Sequence, residues 1–409
     1  MSRPSELEHS PPGASTSTPL AAVCALTFLC SIGTGVMWSG IPFIAKHQYG
    51  FDKRTTLLFS LTMGATYVIG ALSAGVGLRR LERLLSPRGA LAAILLLATL
   101  VSASLHWSDA PWMLWAMAII VNMSMSWLWP IIESYVTAGR HGQAMRDALG
   151  AWNLTWTTAV VFSLLLMAPL VERNAKDAIV YTAGVYLLGL ITLWWLARAP
   201  GEHGEAGADD ATDRREYPRL LQSARLLLLT SYVLNSAMSP LLPFLIARLG
   251  VQPAHETPVA ATWTAARVVI VAVMWRAGFW HGRWGTLLLG GAAMAIGFGM
   301  ILASSSLAMM IVGLALLGSG MAIVYYATLY YAMTVGKAEV DASGKFEALI
   351  GLGYTAGPAA GLGGLLLANA FKDTALGPDG GIVVVVWIVM LIAGLLTLQP
   401  YAAARRERQ

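Results

Sequence analysis

Apolar runs of about 20 residues, separated by short charged or turn-forming pieces, dominate this sequence, and a helix of that length crosses the roughly 30 Å hydrocarbon core of a bilayer. Cutting at the polar breaks predicts twelve spans. The first six cover residues 18–44, 55–78, 89–107, 111–138, 148–171 and 178–198, and the second six cover 224–248, 257–280, 284–305, 308–335, 346–370 and 381–402. Backbone amides and carbonyls in lipid must be satisfied within their own segment, so runs of this length are expected to be helices. The pattern therefore predicts an all-α polytopic membrane protein with twelve transmembrane helices in two pseudo-symmetric six-helix halves.

Composition agrees with this reading. Charged residues make up 12% of the 409 and apolar residues 56%, too little charge to cover a water-facing exterior. The net charge of +5 lies in loops between spans, with no basic helix or aromatic-interleaved patch for nucleic acid. Of the 27 Lys and Arg residues, 19 fall on the side of the chain termini and 7 on the other, with Arg267 alone inside a span; this bias puts both termini in the cytoplasm, and a bacterial inner membrane is the expected location. The domains that follow are a polar tail at 1–17, a first bundle at 18–198, a charged linker at 199–223, a second bundle at 224–402 and a tail at 403–409. Cys24 and Cys30 both lie in the first span and read as small packing residues, not as a disulfide or a metal site.

The halves repeat each other, as duplicated membrane folds do. Ile41-Pro42-Phe43-Ile44 ends the first span and Leu242-Pro243-Phe244-Leu245 ends the seventh; Asp147-Ala148-Leu149 opens the fifth and Glu347-Ala348-Leu349 opens the eleventh. Six plus six helices, a charged central linker and both ends on one side make the chain resemble the major facilitator superfamily over residues 18–402. Gly353, Gly357, Pro358 and Gly361 in the eleventh span resemble that family's glycine-proline helix motif, which is usual in the fifth span of its antiporters. The loop after the second span has Gly75, Gly77, Arg79, Arg80 and Arg83 but lacks the family's Asp. Small residues at helical spacing let a neighbouring helix approach closely, and Pro358 removes a backbone hydrogen bond.

Ionisable groups deep in a span are costly, so each is a candidate for function. Arg267, about ten residues into the eighth span, must face the interior, where its fork can hold a carboxylate or a polar solute. Glu133, in the fourth span, either gains and loses a proton or locks a conformation against a basic residue such as Arg146. Asp147 and Glu347, at matching positions, are expected at the cytoplasmic surface as helix-start residues or bridges between the halves, with proton coupling a lesser alternative. Polar and aromatic side chains of the central helices fill out an expected cavity: Asn122, Trp127, Asn153, Trp156, Asn235, Trp263, Tyr325, Tyr326 and Tyr330. Trp112, Trp194, Trp195 and Trp284, near span ends, are expected to anchor the bilayer interface.

These features exclude several classes. No P-loop is present for ATP-driven transport, no repeated filter suggests a channel, and seven scattered histidines offer neither a metal site nor a membrane enzyme's catalytic cluster. The expectation is a monomeric secondary transporter, without cofactor or metal, that moves a small anionic or amphipathic organic solute by alternating access, with protons as a coupling ion to be tested. A non-transporting sensor or scaffold of the same architecture is the alternative.

Overall fold

The computed structural model describes residues 18–81, 83–140, 142–201, 216–335, 340–367, 370 and 380–406. The predicted tail at 1–17 and most of the linker lie outside the described residues.

Helix α1 (Leu20–Gly35) passes through a π-helical turn, Val36–Gly40, into α2 (Ile41–Tyr49), so that the three pieces form one span. It is followed by α3 (Lys53–Leu81), α4 (Pro87–Ser104), α5 (Pro111–Thr137), α6 (Gly142–Arg173) and α7 (Asp177–Thr192). The second half has α8 (Tyr217–Met238), α9 (Leu242–Arg248), α10 (Pro253–Arg276), α11 (Trp284–Leu302), α12 (Leu307–Val335), α13 (Val340–Leu366) and α14 (Gly380–Arg406). Among the described residues eleven helices are long and apolar enough to cross a membrane, and α8 with α9, bent by 55°, makes a twelfth when the pair is counted as one span.

Local sequence sets many of these ends. Proline at the first turn opens α4, α5 and α10, where its missing N–H costs nothing, and the Ser86 side chain accepts from Gly89 N at 3.2 Å to cap α4. The duplicated Pro42 and Pro243 each sit at a helix restart: the first half absorbs the break as the π turn, and the second as the bend between α8 and α9. Each restarted piece ends on a glycine with left-handed φ, +65° at Gly50 and +73° at Gly250, so the repeat holds down to single backbone angles.

In the first half α1 packs on α6 and α7, α3 on α5, and α4 on α5 and α7; in the second, α8 packs on α12, α13 and α14, and α10 on α12. The halves meet along two main seams, α3 against α13 and α6 against α10. Leu72, Leu100, Leu166 and Leu391 point outward from the bundle and are exposed, as a lipid-facing surface requires. Trp112, Trp194 and Trp195 are also exposed near span ends, whereas Trp284 packs against Tyr401 at 5.4 Å between ring centres.

The glycine motif has two separate tasks. Gly353 and Gly357 bring α13 onto α8 within one half, where a Cβ on Gly357 would strike Ser236 and the backbone of Val233 and Ala237. Gly361 instead faces Leu57 of α3, across the seam. Pro358 is buried inside α13.

Candidate functional site

Between the halves lies a cavity of about 100 Å³, lined from the first half by α1, the π turn, α3, α5 and α6, and from the second by α8, α10, α12 and α13. Arg267 reaches it from the middle of α10 and is 2% exposed. Its guanidinium carbon lies 4.7 Å from the ring centre of Trp156, 5.4 Å from Trp263 and 5.6 Å from Tyr325. These π faces offset part of the cost of burying the cation. Among the described residues its Nε has no hydrogen-bond partner and no carboxylate forms an ion pair with it.

Glu347 occupies the same cavity and is 6% exposed. Tyr67 of α3 donates to its Oε2 at 2.5 Å, so the carboxylate of one half is held by a phenol of the other. Around that pair the aromatic rings close up. Trp38 stacks on Tyr354 at 3.8 Å and meets Tyr67 edge-on at 5.6 Å, and Tyr232 packs edge-on against Tyr354 at 5.1 Å. Glu133 lines the cavity from α5, next to Trp129 one turn earlier on the same helix. Besides Arg267 Nε, two more lining atoms are buried without a partner, Ser31 Oγ and Asn235 Oδ1.

The expected location of Glu347 at the cytoplasmic surface is corrected: α13 begins at Val340, two helical turns earlier, which carries Glu347 into the interior. Asp147, its counterpart by sequence, stays exposed, accepting from Gln143 Nε2 at 3.0 Å and from Trp275 Nε1 at 3.3 Å. Arg146 donates from Nε and Nη2 to Gln143 Oε1, at 3.0 and 2.9 Å.

Of the expected cavity residues, Arg267, Trp263, Trp156, Asn235 and Tyr325 come together there. The others do not. Asn122 donates to Ala118 O in its own helix, Trp127 ties α5 to α3 through Gly70 O and Ser73 Oγ, and Asn153 stands behind the wall, accepting from Trp156 Nε1 at 2.9 Å. Tyr326 and Tyr330 line a second cavity of about 220 Å³ between the halves at the linker end, together with Arg146, Arg276 and His281.

At the opposite end the halves are bolted by a cluster whose members Lys46 and Glu256 lie 210 residues apart in the chain. Lys46 of α2 donates to Glu256 Oε1 at 2.9 Å and to Pro243 O at 2.8 Å, and His47 Nε2 lies 2.7 Å from Glu256 Oε2. Glu256 is 1% exposed and sits in the first turn of α10, where the helix dipole favours a negative charge. Ser239 adds a hydrogen bond to Trp38 O at 3.2 Å. The signal available was the duplicated Pro motif, which places Lys46 beside a helix restart.

A match to the family described as Major Facilitator Superfamily spans residues 23–362. No curated protein sequence matches the chain. Among solved structures, one reported for substrate recognition in proton dependent oligopeptide transporters superposes with a TM-score of 0.67 at 13% identity, covering 94% of this chain and 97% of that one. The nucleoside transporter NupG gives 0.65 at 10% identity, over 94% and 98% of the two chains. The human organic anion transporter TETRAN gives 0.62 at 15% identity, over 92% and 98%.

Proposed function

This chain belongs to the major facilitator superfamily, and we propose that it is a membrane transporter rather than an enzyme, a secondary active carrier of a small organic solute with an acidic group, working by alternating access of its two halves. The observation that carries this reading is Arg267, a buried guanidinium with an unpartnered Nε lining a cavity shared by both halves. Leaving such a donor unpaired costs on the order of 1–3 kcal/mol, and an acidic group on the solute removes that cost. The Lys46–Glu256–His47 cluster acts as the gate at the end away from the linker and releases when the halves rock. Both termini lie in the cytoplasm, in keeping with the bias of basic residues to that side.

Protons supply the driving force, and Glu133, a carboxylate on the cavity wall in lipid depth, carries them. The test is flux in proteoliposomes, using a solute chosen by its stabilisation of the purified protein. Arg267→Gln should insert normally and lose uptake, and unchanged uptake would overturn the role of Arg267. Glu133→Gln should retain solute exchange while losing accumulation driven by a pH gradient; an unaltered gradient dependence refutes coupling through Glu133. A protein that binds solutes but never moves them would instead be a sensor or scaffold.

A further inference from the structure

The central cavity has two poles of opposite charge that do not neutralise each other. Arg267 and Glu347 both line it and both are buried, yet among the described residues they make no ion pair. A buried cation and a buried anion in one small space normally pair directly, because each otherwise bears a desolvation penalty that nothing repays. Here each is held by other means. The cation rests against three aromatic faces with its Nε unpartnered, and the anion accepts from Tyr67 inside the ring cluster of Trp38, Tyr354 and Tyr232.

We propose that the solute is a zwitterion that spans these poles, its carboxylate on Arg267 and its protonated amine on the Glu347 side, against the aromatic faces and Asn235 Oδ1. This refines the solute class of the proposed transport site and rests on that reading.

Three features support it. The atoms left without partners in the lining are a cationic donor, an amide oxygen and a hydroxyl: Arg267 Nε, Asn235 Oδ1 and Ser31 Oγ. A carboxylate with no donor of its own would satisfy the first and leave the amide oxygen unmet, whereas a zwitterion's ammonium supplies N–H groups to that oxygen while its carboxylate meets Arg267. A carboxylate set among tyrosine and tryptophan rings also suits an ammonium, which gains from the anion and from the π faces together. The sum of charge is the third. With Glu133, the third ionisable group on the lining, protonated as in the proposed cycle, a zwitterion leaves the Arg267–Glu347 pair balanced on binding, while a monoanion or a monocation leaves one excess charge in a low-dielectric space.

The experiment uses the full-length protein in detergent or nanodiscs and reads binding, not transport. Three zwitterions of increasing size, glycine, L-phenylalanine and a phenylalanyl-alanine dipeptide, are compared by calorimetry and thermal shift with single-charge probes: 3-phenylpropanoate, which keeps only the carboxylate, and phenethylamine, which keeps only the amine. At least one zwitterion should bind, and its single-charge relatives should bind about tenfold to hundredfold more weakly, the loss expected for one charge-assisted contact. Arg267→Gln should flatten the preference for a carboxylate over its absence, and Glu347→Gln the preference for an amine. These opposite changes distinguish lost poles from misfolding, and each variant's melting without ligand and elution profile check the fold. If none of the zwitterions binds, or a single-charge probe binds as tightly as its zwitterion, the proposal fails. A monoanion that binds and is carried would overturn the zwitterion while leaving the transport reading intact. A zwitterion that binds with the expected preferences but shows no flux in proteoliposomes would do the reverse.

Discussion

Single residues differ in how far the sequence exposes their role. Arg267 is conspicuous because a charge ten residues inside an apolar run must be sheltered by its own protein. Glu347 hides, since its place depends on where α13 starts, and span boundaries are the least reliable part of any reading from hydropathy. Tyr67, Trp38, Tyr232 and Tyr354 carry no signal at all: they lie in four different helices, and only tertiary packing makes them neighbours. Tyr67→Phe keeps the ring contacts and deletes the donor to Glu347, so it should destabilise the purified protein by about 1–3 kcal/mol, as a buried charged acceptor left unmet does. Equal melting of variant and parent would mean that Glu347 is satisfied by other groups. His281 offers a pH test outside the spans. Burial, assisted by the charge of Arg146, holds its imidazole below the ordinary value of 6.5, and the ring stacks flat on Tyr330 at 4.2 Å. The unfolded chain therefore takes up this proton first on acidification, and folded stability falls as pH drops through the region of 6.5. His281→Phe preserves the stack and should lose less melting temperature than the parent over that range; an identical loss would remove His281 from the account.

At the scale of elements, hydropathy places the eleven apolar helices and the α8/α9 pair, because an apolar run of about 20 residues in lipid satisfies its own backbone as a helix. Sequence does not reveal that the same motif bends α8/α9 by 55° yet leaves α1/α2 a single span. The second copy carries Pro240 where the first has Ser39, and Pro240 lies in the break between α8 and α9. The glycine stretch of α13 allows a paired comparison. Gly357→Val forces a branched side chain into the α8 backbone, and overpacking of this kind costs about 1–3 kcal/mol or more. Gly363, whose added Cβ would meet nothing within 4 Å, should accept alanine without loss. Yields and melting temperatures of the two variants read this out. Similar outcomes would show that α13 does not need close contact with α8.

For the whole molecule, the division into halves is legible in the repeat, whereas the Lys46–Glu256 contact is not, since the two residues come from different halves and neither sits where hydropathy is informative. The repeat also misleads in one respect. Asp147 and Glu347 correspond in sequence but not in place: one is exposed beside Trp275 and the other is buried in the cavity. The proposed alternation requires the halves to separate at each end in turn. The bolt of Lys46, His47 and Glu256 is then the element whose removal shifts the balance between end states. Breaking a buried ion pair by removing one partner costs about 3–5 kcal/mol, and the cost falls only on the state in which the pair is formed. Glu256→Gln should therefore populate the state open at the end away from the linker. A cysteine at Ser239, in a background with Cys24 and Cys30 replaced by serine, reports this through a membrane-impermeant thiol reagent added from that side. Faster labelling in Glu256→Gln than in its parent is the expected result, with uptake slowed because the closed state is reached less often. Unchanged labelling would assign the cluster to static support, and the gate would have to be sought elsewhere along the α3/α13 and α6/α10 seams.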